Sequence, residues 1–248
     1  MIIGRLKEKI LRMSFKAKEG HIPSAFSILD ILWVLYDKIL KPEDGFILSK
    51  GHGCLALYVV LAEKGIIPKE ELDTFCEYDS NLGGHPDSNK VNGVLASTGS
   101  LGHGLPMAVG MAMAKKIKGE PGKVYCLVGD GECNEGTIWE SAMIAVHHEL
   151  SNLVCIIDNN YSSDRALDMG NLLGKFRSFG WLVQDVNGHD HISLERDLDY
   201  YSHTEGHQPM ILIAYTIKGK GVKRMQNDPA WHHRTPTEVE LNEMIAEL

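Results

Sequence analysis

Two apolar segments of the sequence are each followed by side chains that carry oxygen ligands. VYCLV (124–128) leads into Gly-Asp-Gly (129–131), and LVCIID (153–158) leads into a pair of asparagines that ends at Asn160. Glycines let a backbone approach a ligand closely, and a helix beginning just beyond offers N–H groups to an anion. Carboxylate and amide oxygens suit Mg²⁺ or Ca²⁺. The pattern favours a metal-bridged diphosphate, with Asp130 as a simple helix cap as the alternative.

Four histidines lie in turns that could expose them. They occur in EGHIPS (His21), LSKGHG (His52), GGHPD (His85) and AWHHRTP (His232). A single histidine in a turn is usually structural, but several convergent imidazoles suit proton transfer near neutral pH. No cysteine pair has the Cys-x-x-Cys spacing of a zinc ribbon, so we predict proton transfer here rather than zinc binding.

Strands and helices alternate in the second half of the chain. Apolar, unalternating runs predict strands at 124–128, 153–158, 181–186 and 209–217. Helical spacing predicts helices at 6–18, 24–38, 54–64, 68–78, 105–118, 135–150, 170–179, 191–203 and 237–248, with a long loop at 81–104. This order indicates an α/β fold, a parallel sheet with helices on both faces. Ligands bind beyond the carboxyl ends of such strands, where neighbouring strands would bring Asp130 and Asn160 together.

Composition limits the partners. The chain has 248 residues, 44% of them apolar, which suits one domain over 1–248. The net charge of −8 argues against nucleic-acid and anionic-membrane partners. No segment approaches the ~20 apolar residues of a membrane span or forms the apolar core of a signal peptide. We therefore expect a cytoplasmic protein, whose five cysteines are buried reduced thiols.

Nearly the whole chain resembles transketolases. The motifs that carry the resemblance occur in that family's order, and they are SKGHGCLALY, GGHPD, STGSLGHGLPMAVGMA, GDGECNEGTIWESAM, KFRSFGW, DVNGHD and IKGKGV followed by WHH. GDG followed by NN also resembles the thiamine diphosphate motif. The resemblance implies a thiamine diphosphate-binding (PP-type) domain. It implies that Asp130, Asn160 and the carbonyl of Ser162 bind Mg²⁺, with Ca²⁺ as a substitute.

The same resemblance implies roles for the turns and loops. The residues that would line the channel from the thiazolium ring to the sugar are His21, His52, His85 and His232. The residues that would contact the cofactor are His52, Gly99, Leu101, Gly131, Lys218 and His232. The motif His-Asp-His (189–191) is a turn into a helix, for which we predict a structural role.

The resemblance also implies that another chain completes the site. Transketolases continue into a second domain that binds the aminopyrimidine and supplies an activating glutamate, and no segment here matches that domain. We expect the amino-terminal subunit of a split transketolase, inactive alone, forming a heterotetramer with two copies of a carboxyl-terminal subunit. With that partner it would transfer a two-carbon ketol unit from a ketose or ketose phosphate to an aldose or aldose phosphate.

Two alternatives stay open: a subunit of another split thiamine diphosphate enzyme, such as a 2-oxo acid dehydrogenase alpha-like subunit or a decarboxylase, and a non-catalytic cofactor-binding subunit. The sequence departs from the family pattern in two places that matter for the site. His103 replaces an amide in GSLGHG. The segment after Asn160 is shorter than usual and lacks Ile-Asp-Gly, which makes Ser162 a weaker candidate than Asp130.

Overall fold

A parallel five-stranded sheet forms the centre of the computed structural model, which describes residues 2–163 and 166–248. The strands are β1 (Gly45–Leu48), β2 (Val124–Gly129), β3 (Leu153–Asn159), β4 (Leu182–Asn187) and β5 (Met210–Tyr215). Their order in the sheet is β1-β2-β3-β5-β4. The predicted α/β fold is confirmed, and β2 and β3 are neighbours as expected. The prediction missed β1, whose four residues are too few to show a pattern.

Helices cover both faces of the sheet. They are α1 (Ile2–Ala17), α2 (Ile22–Val34), α3 (Cys54–Glu63), α4 (Gly104–Lys118), α5 (Gly136–His147), α6 (Leu172–Phe179), α7 (His191–His203) and α8 (Glu238–Ala246). A single π-helical turn, Leu35–Ile39, follows α2. Among the described residues, no helix combines the length and the apolarity that a bilayer crossing requires.

The helix predicted at 68–78 is wrong. The chain forms a 3₁₀ helix over Lys69–Thr74 and then leaves the helical path. Cys76 has a φ of 57°, in the left-handed region, and its N–H donates to the carbonyl of Leu82 at 2.8 Å. A residue in that conformation cannot continue a right-handed helix. Cys76 is also exposed, so the expectation that all five thiols are buried is wrong for this one.

Alternating side chains of each strand build two separate cores. On β2, Tyr125 and Leu127 pack with α1, α2, α3, α7 and α8. Val124, Cys126 and Val128 point the other way and pack with α4, α5 and α6. Because both faces are covered, every position of β2 is buried, which is why its sequence shows an apolar run without alternation.

The strand register decides where the loops meet. Gly129 at the end of β2 lies opposite Asp158 near the end of β3. The chain after each strand therefore leaves the sheet at the same edge, so Asp130 and Asn160 emerge side by side.

Candidate functional site

Asp130 and Asn160 converge on one backbone amide. The N–H of Ser162 donates to Oδ2 of Asp130 and to Oδ1 of Asn160, at 3.1 Å in both cases. The N–H of Gly131 donates to the other carboxylate oxygen of Asp130 at 2.8 Å. Burial, and then the nearby charge of Asp158, raise the pKa of Asp130. An acid in this setting is stabilised by a bound cation, and each oxygen keeps a second lone pair for one.

A buried ion pair lies behind these two side chains. The Lys50 ammonium donates to Asp158, and the two side chains are 2% and 0% exposed. Asp158 also accepts from Ser27 Oγ at 2.7 Å, from Thr216 Oγ1, and from Asn160 Nδ2 at 3.1 Å. Burial would raise the pKa of Asp158, but Lys50 and these hydrogen bonds lower it below its ordinary value. Because the Asn160 amide nitrogen donates to Asp158, its oxygen faces the Ser162 amide.

Glu132 joins three loops at the same edge. Its carboxylate accepts from Ser49 Oγ at 2.6 Å, from the Gly102 N–H at 2.9 Å and from the Gly129 N–H at 2.8 Å. The residue is 1% exposed. Burial raises its pKa, while the hydrogen bonds oppose that rise. The loops that carry Lys50, Leu101 and Asp130 are thereby fixed relative to one another.

A cavity of about 190 Å³ opens between these loops. It is lined by Ser24, Lys50, His52, Leu101, Gly129, Asp130, Gly131, Glu132, Asn160, Ser162, Ser163, Lys218 and His232. Within the described residues, the Ser24 hydroxyl is buried and has no hydrogen-bond partner. A side chain at Gly131 would point into this space, since nothing lies within 3.5 Å of its Cβ position and the nearest atom is Ser163 Cβ at 3.6 Å.

The donors around this cavity fit a metal-bound diphosphate. One carboxylate and one amide oxygen suit a hard cation, while the free hydroxyl, the Gly131 backbone and Lys218 suit phosphate oxygens. In the parts of the chain that the structure describes, no group of three or more His, Cys, Asp or Glu could hold a metal ion. A cation here would therefore rely on amide and carbonyl oxygens beside the single carboxylate of Asp130.

Lys218 reaches the same cavity from the chain that follows β5. Its Nζ donates to Ser162 Oγ at 3.2 Å and to His232 Nδ1 at 3.1 Å. Burial, and then the charge of Lys50, lower the pKa of Lys218 to about 8. Lys218, predicted to contact the cofactor, thus contacts two other predicted site residues, and an anion in the cavity would stabilise its charge.

Three of the predicted imidazoles form a cluster. The ring centroids of His21 lie 5.2 Å from His52 and 5.0 Å from His232. Burial lowers the pKa of His21 to about 4 and the pKa of His52 to about 2. The pKa of His232 is also lowered, first by burial and then by Lys218. His233, which the sequence did not single out, lies 4.6 Å from His21 and pairs with Glu19.

His85 lies at the edge of this cluster. It is exposed, and its ring packs against Gly99, where a Cβ would come within 3.2 Å of His85 Cδ2. Leu101 lines the cavity and is 41% exposed. His103, which replaces an amide, donates to the Leu101 carbonyl through Nδ1 at 2.9 Å and is exposed. Gly99 therefore lies against the His85 ring, whereas Leu101 lines the cavity.

The sequence did not single out the polar residues beneath the site. Lys50 and Asp158 lie 108 positions apart, and Glu132 binds groups on two distant loops. The available signal was weak: each sits beside a predicted site residue, in SKGHG, in IDNN and in GDGE. A charged residue that ends an apolar strand, as Asp158 does, is a signal that could have been used.

Comparison with known proteins places this geometry in a family context. A family model described as "Transketolase, thiamine diphosphate binding domain" matches residues 9–247. An apulose-4-phosphate transketolase subunit of Phocaeicola vulgatus is 39% identical, over 98% of this chain and 90% of that protein. A 6-deoxy-6-sulfo-D-fructose transketolase subunit of Clostridium sp. is 37% identical, over 92% of this chain and 88% of that protein.

Solved transketolase structures match the fold. Transketolase from Campylobacter jejuni has a TM-score of 0.87 and 29% identity, over 100% of this chain and 42% of its own. Transketolase from Leishmania mexicana has a TM-score of 0.86 and 25% identity, over 99% of this chain and 41% of its own. The chain spans about two fifths of the length of these two transketolases.

Proposed function

Because the chain belongs to the transketolase family, through its thiamine diphosphate-binding domain, we propose that it is the amino-terminal subunit of a split transketolase. The proposal is supported by relatives named as transketolase subunits that match this chain over most of their length. Residues 1–248 would act as one cofactor-binding domain in the cytoplasm, without nucleic-acid or membrane partners.

We propose that Asp130, Asn160 and the carbonyl of Ser162 bind Mg²⁺, with Ca²⁺ as a substitute. The observation that supports this assignment is the convergence of the Asp130 and Asn160 oxygens on one amide, together with the raised pKa of Asp130. His52, Gly131, Lys218 and His232 would contact the cofactor diphosphate, and Gly99 and Leu101 its aminopyrimidine side. When bound, thiamine diphosphate supplies the carbon nucleophile for ketol transfer.

We propose that His21, His52, His85 and His232 exchange protons with the sugar hydroxyls. At neutral pH the lowered pKa values keep His21 and His52 uncharged, so that they accept protons. His21 donates through Nδ1 to the carbonyl of His232 at 2.9 Å, which leaves its Nε2 as the accepting atom. The geometry thus supports a proton-accepting role for His21 in particular.

A second subunit would supply the pyrimidine-binding domain and the activating glutamate. The relatives' names identify them as subunits, and Leu101 presents a partly exposed apolar side chain at the cavity. We propose a heterotetramer of two chains of each kind. Both relatives are named for anionic ketoses, so we propose that the donor is an anionic ketose and the acceptor an aldose or aldose phosphate.

Ketol-transfer assays with and without the partner test this function. The chain would be assayed alone and after co-expression with the product of the neighbouring reading frame, in the presence of thiamine diphosphate, Mg²⁺ and ketose phosphates. We expect transfer from the complex and none from the chain alone. Robust transfer by the isolated chain, or decarboxylation of a 2-oxo acid by the complex in place of ketol transfer, would overturn the proposal.

A further inference from the structure

The His-Asp-His turn binds a buried carboxylate on α2. His189 Nδ1 donates to Asp30 Oδ2 at 2.8 Å, and His191 Nε2 donates to Asp30 Oδ1 at 2.7 Å. The side chains of Asp30 and His189 are 8% and 9% exposed, whereas that of His191 is 38% exposed. Each oxygen of Asp30 therefore accepts a hydrogen bond from one imidazole. Of the two histidines, His189 is the more buried.

The opposite nitrogen of His189 holds a backbone amide. The N–H of Ile217 donates to His189 Nε2 at 2.9 Å. A backbone N–H can only donate, so Nε2 carries no proton while Nδ1 carries the proton that bonds Asp30. Asp30 and Ile217 together select one neutral tautomer of the ring. This is a specific bridge from α2 to the chain after β5, and it involves more than packing.

Ile217 directly precedes Lys218, the ammonium group of the cavity. Immediately before Ile217, the Thr216 N–H donates to the Asn159 carbonyl at 3.1 Å. Immediately after Lys218, the Gly219 N–H donates to the Pro23 carbonyl at 3.0 Å. The His189 bond lies between these two hydrogen bonds and holds the Thr216–Ile217 peptide, one residue before Lys218.

We propose that His189, oriented by Asp30, is a positioning residue that holds the Ile217 amide and thereby directs Lys218 toward the diphosphate-binding cavity. The inference rests on the proposed function, because it assigns a supporting role for the same cofactor site. His191 binds the same carboxylate but, among the described residues, makes no hydrogen bond to residues 216–219, so it provides an internal comparison.

Three single variants separate the two bonds of His189. In His189→Asn the amide reaches only the position of Nδ1, so it can donate to Asp30 and leaves the Ile217 N–H without an acceptor. In His189→Gln the longer amide reaches the position of Nε2 and can accept from Ile217. His191→Asn perturbs the same carboxylate and serves as the matched control.

Hydrogen exchange at the Ile217 amide tests the bridge without any cofactor. We expect exchange about tenfold faster in His189→Asn, because the amide loses its acceptor. We expect protection to return in His189→Gln and to be unchanged in His191→Asn. Unchanged exchange in His189→Asn, or equal acceleration across all of β5, would overturn the inference, since either result would mean that no specific bond to Ile217 exists.

A double-mutant cycle tests whether the bridge acts through Lys218. The affinity of the two-subunit complex for thiamine diphosphate with Mg²⁺ would be measured by calorimetry. We expect His189→Asn to weaken binding about tenfold in the wild-type background and less than about twofold in a Lys218→Met background. Equal losses in both backgrounds would overturn the inference. Absence of binding by the wild type would instead overturn the proposed function, while the exchange result still decides the bridge.

Discussion

Two neighbouring regions of the site satisfy their polar atoms in opposite ways. The strand-end cluster consists of Lys50, Asp130, Glu132, Asp158 and Asn160. The imidazole cluster consists of His21, His52 and His232, with His85 at its edge. In the strand-end cluster the carboxylates are buried and each accepts two or more hydrogen bonds, while Lys50 donates to Asp158. In the imidazole cluster the rings lie mainly against one another, and among the described residues the bonded ring nitrogens are Nδ1 of His21 and Nδ1 of His232.

The difference indicates a division of labour. The strand-end cluster is rigid because each carboxylate is held by donors from separate loops, which suits the binding of one metal-phosphate group in one geometry. Within the described part of the chain, the imidazole cluster keeps ring nitrogens without a hydrogen-bond partner, and burial lowers the pKa values of His21 and His52, which suits proton exchange with a substrate that binds and leaves. Removing a group from the strand-end cluster should therefore lower the free energy of unfolding or the affinity for the cofactor. Removing a group from the imidazole cluster should instead change the binding of protons.

The largest effect should follow removal of Lys50. Lys50→Met leaves the Asp158 carboxylate buried without its counter-ion, which should lower the free energy of unfolding by about 3–5 kcal/mol. Urea unfolding measures this. Adding Asp158→Asn to that variant should recover much of the loss. Lys69→Met, at an exposed ion pair with Glu63, is the control and should cost less than about 1 kcal/mol. Equal costs for the two lysines would contradict the comparison.

Asp130→Asn should abolish the metal dependence of cofactor binding. It removes the carboxylate and leaves its shape, so the fold should persist while the dissociation constant for thiamine diphosphate with Mg²⁺ rises about 100-fold, or about 2.7 kcal/mol. Calorimetry measures this, with Asp168→Asn as the control because Asp168 accepts from the Gly170 N–H and, among the described residues, has no hydrogen bond to the site. An unchanged affinity in Asp130→Asn would remove Asp130 from the site.

Glu132→Gln should weaken the join between the three loops. The amide presents an N–H₂ group where the carboxylate accepted hydrogen bonds, so at least one donor loses its partner. We expect a loss of about 1–3 kcal/mol in the free energy of unfolding. Glu140→Gln, at an exposed position of α5, is the matched control. A loss no greater than that of the control would show that Glu132 does not hold the loops.

The smallest effect concerns pH and the imidazole cluster. His21 has a pKa of about 4 in the fold and 6.5 ordinarily, so between these values the unfolded chain binds a proton that the folded chain excludes. Stability should therefore fall as pH is lowered from about 6.5 toward 4. His21→Asn should flatten that fall by at most about 1.4 kcal/mol per pH unit. Urea unfolding between pH 4.5 and 7 measures the slope, and an identical slope in the variant would place His21 in solvent.

The sequence predicted the elements whose signals are local. Apolar runs predicted β2, β3, β4 and β5, and turns rich in glycine located the loops around His52 and Asp130. The 68–78 helix failed because the left-handed conformation of Cys76 leaves no mark in the sequence. Strand order could not be deduced either, since β5 enters the sheet between β3 and β4.

The site residues also differ in whether their sequence signal is local. Asp130, Asn160, His21, His52 and His85 could be named because each follows a strand or lies in a glycine turn. His232, in AWHHRTP, was named with the help of the resemblance to transketolases. The groups that hold them could not, because Lys50 with Asp158 and His189 with Asp30 are pairs far apart in the chain. These pairs form only when the chain is folded, so the sequence alone does not show which residues pair.

Calorimetric titration of thiamine diphosphate is the most direct test of the account. It would be run on the chain alone and on its complex with the partner, first with Mg²⁺ and then with the metal removed by EDTA. We predict that the complex binds the cofactor with Mg²⁺ and loses that binding without it, because under the proposal Asp130 and Asn160 would hold the diphosphate through the metal. Binding of equal strength without a divalent cation, or no binding by the complex, would contradict the central claim.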